Sequence, residues 1–225
     1  DAHVADPFQS ITRHIPVSGE YFFEKLFEEI DYSLYTSNSE PENDLQYFDY
    51  LQKLNLQTST ILTEYIDHVG DANIVNDINI VNSLIDQLRG GSQLHIANSM
   101  SIRYVNTIVN CKLHADVYCN RGTSGIDGCV STAIGAALVN AMPTYLLTGD
   151  VAFFYDRNGL LIDPLPENLK IVILNNGGGN IFRMIDGPSG LPERDAYFET
   201  RHTLTARHTA AENSIPYFYL NDVSL

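Results

Sequence analysis

Hydrophobic residues recur every three to four positions between residues 20 and 89, which is the period of amphipathic helices. A polar stretch with a proline, residues 36–44, interrupts this pattern and is predicted to be a linker or exposed loop. The helices predicted on either side of it cover residues 20–35, 45–55, 58–69 and 74–89. This first part of the chain is therefore predicted to be mainly helical.

After Gly90-Gly91 the pattern changes to short apolar runs that alternate with segments of helical period. The runs predict strands at residues 94–97, 117–119, 145–148 and 171–174, with 217–220 as a candidate fifth strand. The segments between them predict helices at 99–110, 127–141 and 152–162. Fully apolar strands that alternate with helices are typical of a parallel sheet covered on both faces. We therefore expect an α/β fold of three layers, with a mainly parallel sheet between helices.

Charge follows the same division of the chain. There are 28 acidic and 13 basic residues, which gives a net charge of −15, and residues 1–100 hold 16 of the acids but only 4 of the bases. This excess argues against nucleic acid and anionic membranes as partners, because both need a positive surface field. Residues 101–225 are nearly balanced and can accommodate an anionic small molecule.

Cysteine use and hydropathy indicate a cytoplasmic protein. Cys111, Cys119 and Cys129 form no C-x-x-C pair and are predicted to be reduced core thiols. No apolar run reaches the roughly 18 residues that a membrane span needs, and no signal peptide is recognisable. Because the chain starts at Asp1 rather than Met, we expect that this is not the native start.

Polar or small residues follow four consecutive predicted strands, at the edge where open α/β sheets bind ligands. The four segments are Asn98-Ser99 with Arg103 one turn later, Asn120 to Gly128, Gly149-Asp150, and Asn175 to Asn180. A G-x-G-x-x-G fingerprint and a Walker A motif are both absent, which disfavours a nucleotide-binding Rossmann domain. His202 and His208 lie in an arginine-rich stretch and are predicted to be on a solvated surface, with a lid or helix near the site as the alternative.

Gly149-Asp150 predicts a phosphate site with a cation. The helix that follows offers free N–H groups to a phosphate, but Asp150 would repel that phosphate unless a hard cation such as Mg²⁺ lay between them. Asn176, 26 residues later, offers a neutral oxygen, and the glycines at 177–179 allow the backbone to approach closely. The alternative is that Asp150 only caps its helix beside a glycine turn.

This motif resembles the cofactor motif of thiamine-diphosphate-dependent enzymes, although Val151 stands where glycine is usual. The segments Ser99-Met100-Ser101-Ile102-Arg103, Asn120 to Gly128 and Asn175 to Phe182 are more selective. They resemble the 2-succinyl-5-enolpyruvyl-6-hydroxy-3-cyclohexene-1-carboxylate synthase family of menaquinone biosynthesis. The resemblance is specific over residues 90–190 and weak over residues 1–89.

The resemblance implies a thiamine-diphosphate-binding fold and a division of the chain. Residues 1–89 would be the C-terminal remnant of a central domain plus a helical connector, and residues 90–225 an incomplete diphosphate-binding domain. The implied metal ligands are Asp150, Asn176 and Gly178, for Mg²⁺ with Mn²⁺ as the alternative. The implied thiamine diphosphate contacts are Ser124, Gly125, Ile126, Asp150, Val151, Ala152, Asn176, Gly178, Gly179, Asn180 and Ile181. The implied substrate contacts are Ser99, Arg103, Arg121 and Phe182.

The family's reaction decarboxylates 2-oxoglutarate and adds the resulting succinyl-semialdehyde carbanion to isochorismate. Arg103 and Arg121 suit these dicarboxylates, because guanidinium groups pair with carboxylates in bidentate geometry. The glutamate that activates the cofactor is expected in a missing N-terminal domain. The active site is expected to form between subunits of a homodimer or tetramer. We therefore expect residues 1–225 alone to be inactive. Two alternatives stay open: another thiamine-diphosphate-dependent decarboxylase or carboligase, and a non-enzymatic domain that keeps the fold.

Overall fold

The computed structural model describes residues 12–29, 42–71, 75–109 and 113–220. The chain divides into two compact units, residues 1–58 and 59–225. Helix α1, Gly19–Glu29, lies in the first unit and has no buried residue. It confirms the start of the predicted helix at 20–35, whereas residues 30–35 lie outside the described part of the chain.

Helix α2, Glu42–Asp71, replaces the two helices predicted at 45–55 and 58–69. The prediction of a break was wrong, because Leu56 and Gln57 are good helix formers and neither glycine nor proline interrupts the helix there. The boundary between the two compact units falls inside this helix. The prediction of a loop over residues 36–44 is also wrong for residues 42–44, and residues 36–41 lie outside the described residues.

The second unit begins with the end of α2 and with helix α3, Asp77–Gln87. Asn76 caps α3, since its side-chain oxygen accepts a hydrogen bond from the N–H of Asn79 at 2.9 Å. The four strands that follow are β1 Gln93–Ile96, β2 Asp116–Cys119, β3 Thr144–Gly149 and β4 Leu169–Leu174. All four predicted strands are therefore confirmed.

These strands form one parallel sheet in the order β2-β1-β3-β4. In register, Ile96 of β1 lies beside Leu147 of β3, and Gly149 of β3 lies beside Leu174 of β4. The direction of strand addition reverses between β1 and β3. After β1 the chain adds β2 on one side of β1, and it then adds β3 and β4 on the other side. Ligands of such sheets bind at this reversal, beyond the carboxyl ends of the strands.

Helices cover both faces of the sheet, as expected for three layers. The remaining helices are α4 Met100–Ile108, α5 Cys129–Val139, α6 Asp150–Asp156 and α7 Arg207–Glu212. On one face α3 and α4 pack against Leu147, and on the other face α5 and α6 pack against Leu146. Both leucines are fully buried, so β3 separates two hydrophobic cores.

Two predictions for the end of the chain differ from the structure. The helix predicted at 152–162 is the end of α6 followed by a 3-10 helix, Arg157–Leu161. The fifth strand predicted at 217–220 is wrong, because the described sheet has no strand there and β4 pairs only with β3. Phe218 and Tyr219 are exposed, so their apolar character reflects no burial within this chain.

Candidate functional site

The carboxyl ends of the four strands bring the predicted site segments to one edge of the sheet. Asp150 follows β3 directly and is the first residue of α6. Its side chain is buried, with 2% of the residue exposed. A carboxylate in this position needs hydrogen-bond donors, since an unpaired buried charge is strongly destabilising.

Backbone N–H groups supply these donors. The N–H of Val151 donates to Oδ1 of Asp150 at 2.7 Å, and the N–H groups of Gly177 and Gly178 donate to Oδ2 at 2.7 and 3.1 Å. An ionised carboxylate has about four acceptor positions. Three are occupied, which leaves one lone pair on Oδ1 for a further ligand. Asp150 thus joins the end of β3 to the loop after β4, which goes beyond capping its own helix.

The loop after β4 is shaped by glycines that pack directly on another backbone segment. Gly178 has a φ of +152°, and a Cβ there would lie 2.7 Å from the carbonyl oxygen of Glu199. The N–H of Gly179 donates to that oxygen, and the N–H of His202 donates to the carbonyl of Gly177 at 3.1 Å. The carbonyl of Gly178 accepts the N–H of Asn180 at 3.0 Å and keeps a second lone pair.

Two of the predicted thiamine diphosphate contacts, Val151 and Gly179, have backbone amides that are already bonded within the protein. The Val151 N–H is bonded to Asp150, and the Gly179 N–H is bonded to Glu199. Both assignments remain predictions, and each requires that its amide exchange one partner for another. Ala152, the next residue of α6, is buried against Ile126, Ala97 and Cys129.

Asn176 contacts a residue that sequence reasoning missed. Its Nδ2 donates to Oδ2 of Asp77 at 3.1 Å. Asp77 is the first residue of α3, and Tyr104 lies beside it. Burial and the charge of Asp150 raise the pKa of the Asp77 carboxyl, while Asn176 and Tyr104 oppose that shift. Since 99 positions separate Asp77 from Asn176, no sequence motif could have linked them.

Within the described ranges, no group of three or more His, Cys, Asp or Glu side chains is arranged to hold a metal ion. The predicted ligands are of a different kind: one carboxylate, one side-chain amide and one backbone carbonyl. Such a set of oxygens suits Mg²⁺, which is bound by few protein ligands and keeps waters or phosphates. The free lone pairs on Asp150 and Gly178 are compatible with it.

His202 lies against Asp150, so the prediction of a solvated surface was wrong for this residue. Its Nε2 is buried and lies 3.4 Å from Oδ2 of Asp150, and its ring meets Phe154 edge to face at 5.3 Å between centroids. Its Nδ1 accepts the N–H of Leu204 at 3.2 Å, so the other ring nitrogen, Nε2, is the one that faces Asp150. The prediction for His208 is confirmed, since that residue is exposed.

The end of β1 is tied to the loop after β2 by Asn98, which was recognised only as a strand end. This buried side chain donates to the carbonyls of Asn120 at 3.2 Å and Gly125 at 2.7 Å. Its oxygen accepts Nη1 of Arg121 at 3.0 Å. Arg121 is thereby anchored at the site edge, while most of its donors remain open.

The other predicted substrate residues near β1 differ in how they are held. Ser99 has φ 72° and ψ −130°, an unusual backbone conformation for a residue with a side chain. Arg103 lies one turn into α4 and is exposed. The structure thus places Ser99 and Arg121 near the end of β1, through their neighbour Asn98, and leaves Arg103 on the exposed side of α4.

The predicted cofactor residues after β2 form a tight turn. Ser124, with φ 53°, donates its hydroxyl to the carbonyl of Arg121 at 2.8 Å. At Gly125 an added Cβ would collide with Oδ1 of Asp127. Ile126 packs against Ala152 at the start of α6, so this turn is brought to the same edge as Asp150.

Ile181 and Phe182 lie in a 3-10 helix, Asn180–Arg183, that continues the glycine loop. The ring of Phe182 contacts that of Phe198 at 5.6 Å between centroids. These predicted contact residues therefore share one short segment with Asn176 and Gly178.

An ion-pair network holds the segment on which the glycine loop packs. Glu199, buried apart from 4% of its side chain, accepts Nε and Nη2 of Arg183 at 2.8 Å each. It also accepts Nε of Arg201 at 3.1 Å, and Arg201 binds Asp195 at 3.2 Å. The hydrogen bonds from Arg183 and Arg201 lower the pKa of Glu199, and those from Arg194 lower the pKa of Asp195.

We expect Glu199→Gln to lose stability in a pH-dependent way. The folded-state pKa of Glu199 lies below its ordinary value near 4.5. Its contribution is therefore present above that value and is lost as the pH falls through the lowered folded-state pKa. Melting curves between pH 3 and 7 should show the variant below wild type at neutral pH, with the gap closing in acid. Glu193→Gln, an exposed neighbour, is the control, and a gap of constant size would contradict the prediction.

Two of the three cysteines lie within the described residues. Cys119 and Cys129 are free thiols, and burial raises the pKa of both. Cys111 lies outside the described residues.

Across the described parts of the chain, none of the helices has the length and hydropathy needed to cross a membrane.

Comparison with known proteins gives consistent similarities. The chain is 40% identical to the 2-succinyl-5-enolpyruvyl-6-hydroxy-3-cyclohexene-1-carboxylate synthase of Cytophaga hutchinsonii over 217 residues. The aligned residues cover 96% of this chain and 36% of that protein. It is 36% identical to the synthase of the same name from Flavobacterium johnsoniae over 219 residues. These residues cover 97% of this chain and 37% of that protein. No protein-family model matches. The chain thus spans a little more than a third of the length of these relatives.

Proposed function

We propose that this chain, which belongs over the region it matches to the 2-succinyl-5-enolpyruvyl-6-hydroxy-3-cyclohexene-1-carboxylate synthase family, supplies the thiamine-diphosphate and Mg²⁺ part of such an enzyme's active site. The whole enzyme would decarboxylate 2-oxoglutarate and add the four-carbon unit to isochorismate, in menaquinone biosynthesis. The observation that carries the proposal is the carboxylate of Asp150, bonded by Gly177 and Gly178 beside Asn176 at the site edge of the sheet.

Three oxygens would hold the cation: Oδ1 of Asp150, Oδ1 of Asn176 and the carbonyl of Gly178. Each keeps an acceptor position free of protein donors among the described residues. The remaining positions would be filled by the diphosphate and water, as Mg²⁺ usually requires. The cofactor, when bound, supplies the electron sink for decarboxylation and carboligation.

The protein's own residues would position the cofactor and the substrates. Ile126 has a β-branched side chain that is stiff at χ1. Its turn is held in place because Ile126 packs against Ala152 and the carbonyl of Gly125 accepts a hydrogen bond from Asn98. Ser124, Gly125, Asn180 and Ile181 would line the remaining cofactor contacts. Arg121, oriented by Asn98, and Arg103 would bind substrate carboxylates, with Ser99 and Phe182 beside them.

The rest of the active site would come from outside this chain. An activating glutamate belongs to the part of the enzyme that these 225 residues do not match, and the site would form in a homodimer or tetramer in the cytoplasm. The division of this chain at residues 89 and 90 stays part of the proposal. In the structure α3, within the predicted connector, packs in the same core as β1 and β3 and lies in the same compact unit.

A chimera tests this function. The region of the Cytophaga hutchinsonii synthase that this chain matches would be replaced by residues 1–225, and the product from 2-oxoglutarate and isochorismate would be measured. We expect turnover that depends on thiamine diphosphate and Mg²⁺, no use of pyruvate in place of 2-oxoglutarate, and no turnover by residues 1–225 alone.

The contrary outcomes are distinct. A folded chimera that binds thiamine diphosphate but uses only pyruvate would point to a different thiamine-dependent carboligase. A folded chimera that binds no cofactor would point to a domain that has kept the fold without the chemistry. Turnover by residues 1–225 alone would refute the view that they supply only part of the site.

A further inference from the structure

The side chain of Asn176 has one hydrogen bond within the described part of the chain, from Nδ2 to Oδ2 of Asp77 at 3.1 Å. Asn176 is otherwise exposed, so few contacts restrict rotation of its side chain. The bond to Asp77 is therefore the contact that determines which end of its amide faces the cation site.

The chemistry of the pair determines that orientation. An ionised carboxylate only accepts hydrogen bonds, whereas an amide has a donating NH₂ group and an accepting oxygen. If the amide turned by 180°, two acceptor oxygens would face each other and the hydrogen bond would be lost. Asp77 thus selects the state in which the NH₂ group of Asn176 faces α3 and its Oδ1 points away from α3.

Asp77 is itself held firmly. It is the first residue of α3, a helix capped by Asn76 and packed in the core through Val81 and Ile85. Tyr104 of α4 lies beside it, and burial together with the adjacent Asp77 charge raises the pKa of Tyr104 to about 12. Two helices of the core therefore fix the position of the Asp77 carboxylate.

We propose that Asp77 is a positioning residue for the cation site: it fixes the amide of Asn176 so that the side-chain oxygen, and not the NH₂ group, is presented to Mg²⁺. The inference rests on the proposed function, because it takes Asn176 to be a cation ligand. It extends that function to α3, a helix outside the glycine loop and the strand ends. Residues that orient a metal ligand in this way commonly affect metal affinity without touching the ion.

A double-mutant cycle distinguishes orientation from simple charge attraction. A carboxylate at position 176 has an oxygen on each side and needs no orienting partner. Removing Asp77 should therefore weaken cation binding when residue 176 is Asn, but not when it is Asp. If Asp77 acted only through its negative charge, removing it would weaken binding in both cases.

The cycle would use Asp77→Leu, Asn176→Asp and the double variant, with Mn²⁺ affinity measured by electron paramagnetic resonance in the presence of thiamine diphosphate. It would be run in residues 1–225 and in the chimera. We expect Asp77→Leu to lower the affinity about 10- to 100-fold, and to lower it no further in the Asn176→Asp background. Asp77→Asn, which keeps an acceptor oxygen without the charge, should lose clearly less than Asp77→Leu and guards against misfolding of the leucine variant.

Asp86→Asn is the matched control, because it removes an acid from the exposed side of the same helix. It should leave the affinity unchanged. Equal losses in both backgrounds, equal losses for the Asn and Leu variants, or no loss at all would overturn the positioning role. If the wild-type chimera bound no Mn²⁺ with the cofactor, the proposed function would fail as well, whereas wild-type binding with an unaffected Asp77→Leu would reject this inference alone.

Discussion

Asp150→Asn should weaken Mn²⁺ binding in the presence of thiamine diphosphate by about 100-fold or more, since even changes in residues behind a metal ligand cost 10- to 100-fold. The substitution removes the one carboxylate among the three proposed ligands. It also leaves a single acceptor oxygen where Oδ1 and Oδ2 now accept three N–H groups. The buried N–H groups that lose their acceptor would each cost about 1–3 kcal/mol.

Two measurements check this prediction: Mn²⁺ affinity by electron paramagnetic resonance and the melting temperature without metal. We expect both to fall for Asp150→Asn. Asp116→Asn is the control, because Asp116 is exposed at the amino end of β2, at the edge of the sheet opposite the site. An Asp150→Asn variant that binds Mn²⁺ as tightly as wild type would remove Asp150 from the site.

The sheet could be predicted from sequence because each strand contains a short apolar run and helical segments separate these runs. Leu146 and Leu147 on β3 face opposite cores, so both neighbours are buried and no alternation appears. The same rule failed at residues 217–220. An apolar run forms a strand only where a neighbouring strand accepts its backbone hydrogen bonds, and Phe218 and Tyr219 have no such neighbour among the described residues.

The site was predictable to the extent that it follows strand ends. Asp150 and Asn176 were identified because each lies within two residues of the end of a strand. Asp77 and His202 were not, because their contacts with Asn176 and Asp150 depend on tertiary packing between distant segments. The arginine-rich composition around His202 suggested solvent exposure. In the structure Arg201 forms ion pairs with Asp195 and Glu199, Arg207 lies over the ring of Tyr217, and the histidine turns inward.

A sequence motif does not specify the residues that orient its members. A motif specifies the residues that touch a ligand, since their position after a strand is set by the local chain. The residues that orient them come from other elements and are specified by packing. In this chain Asp77 and His202, which contact Asn176 and Asp150, lie on α3 and in the segment after Phe198, and no strand end precedes either.

Gly178→Ala should be the most destabilising glycine substitution in the site loop. Its φ of +152° is a conformation that residues with a Cβ rarely adopt, and strain of this kind costs about 1–3 kcal/mol. The added Cβ would also lie 2.7 Å from the carbonyl oxygen of Glu199, a backbone atom that cannot rotate away. Relief would require the loop to separate from residues 199–202, which would move the N–H that binds Asp150.

Urea unfolding of Gly178→Ala should therefore show a loss of about 3 kcal/mol, near the upper end of that strain range, together with weaker Mn²⁺ binding. Gly135→Ala is the matched control, because Gly135 lies inside α5 with open space around its Cβ position. There alanine should stabilise the protein by up to about 1 kcal/mol, as expected in a helix interior. Opposite signs for the two substitutions would show that conformation and close contact, and not loss of glycine as such, explain the cost at Gly178. A Gly178→Ala variant as stable as wild type would mean that the loop does not pack on residues 199–202 in solution, and the proposed carbonyl ligand would then lack its fixed position.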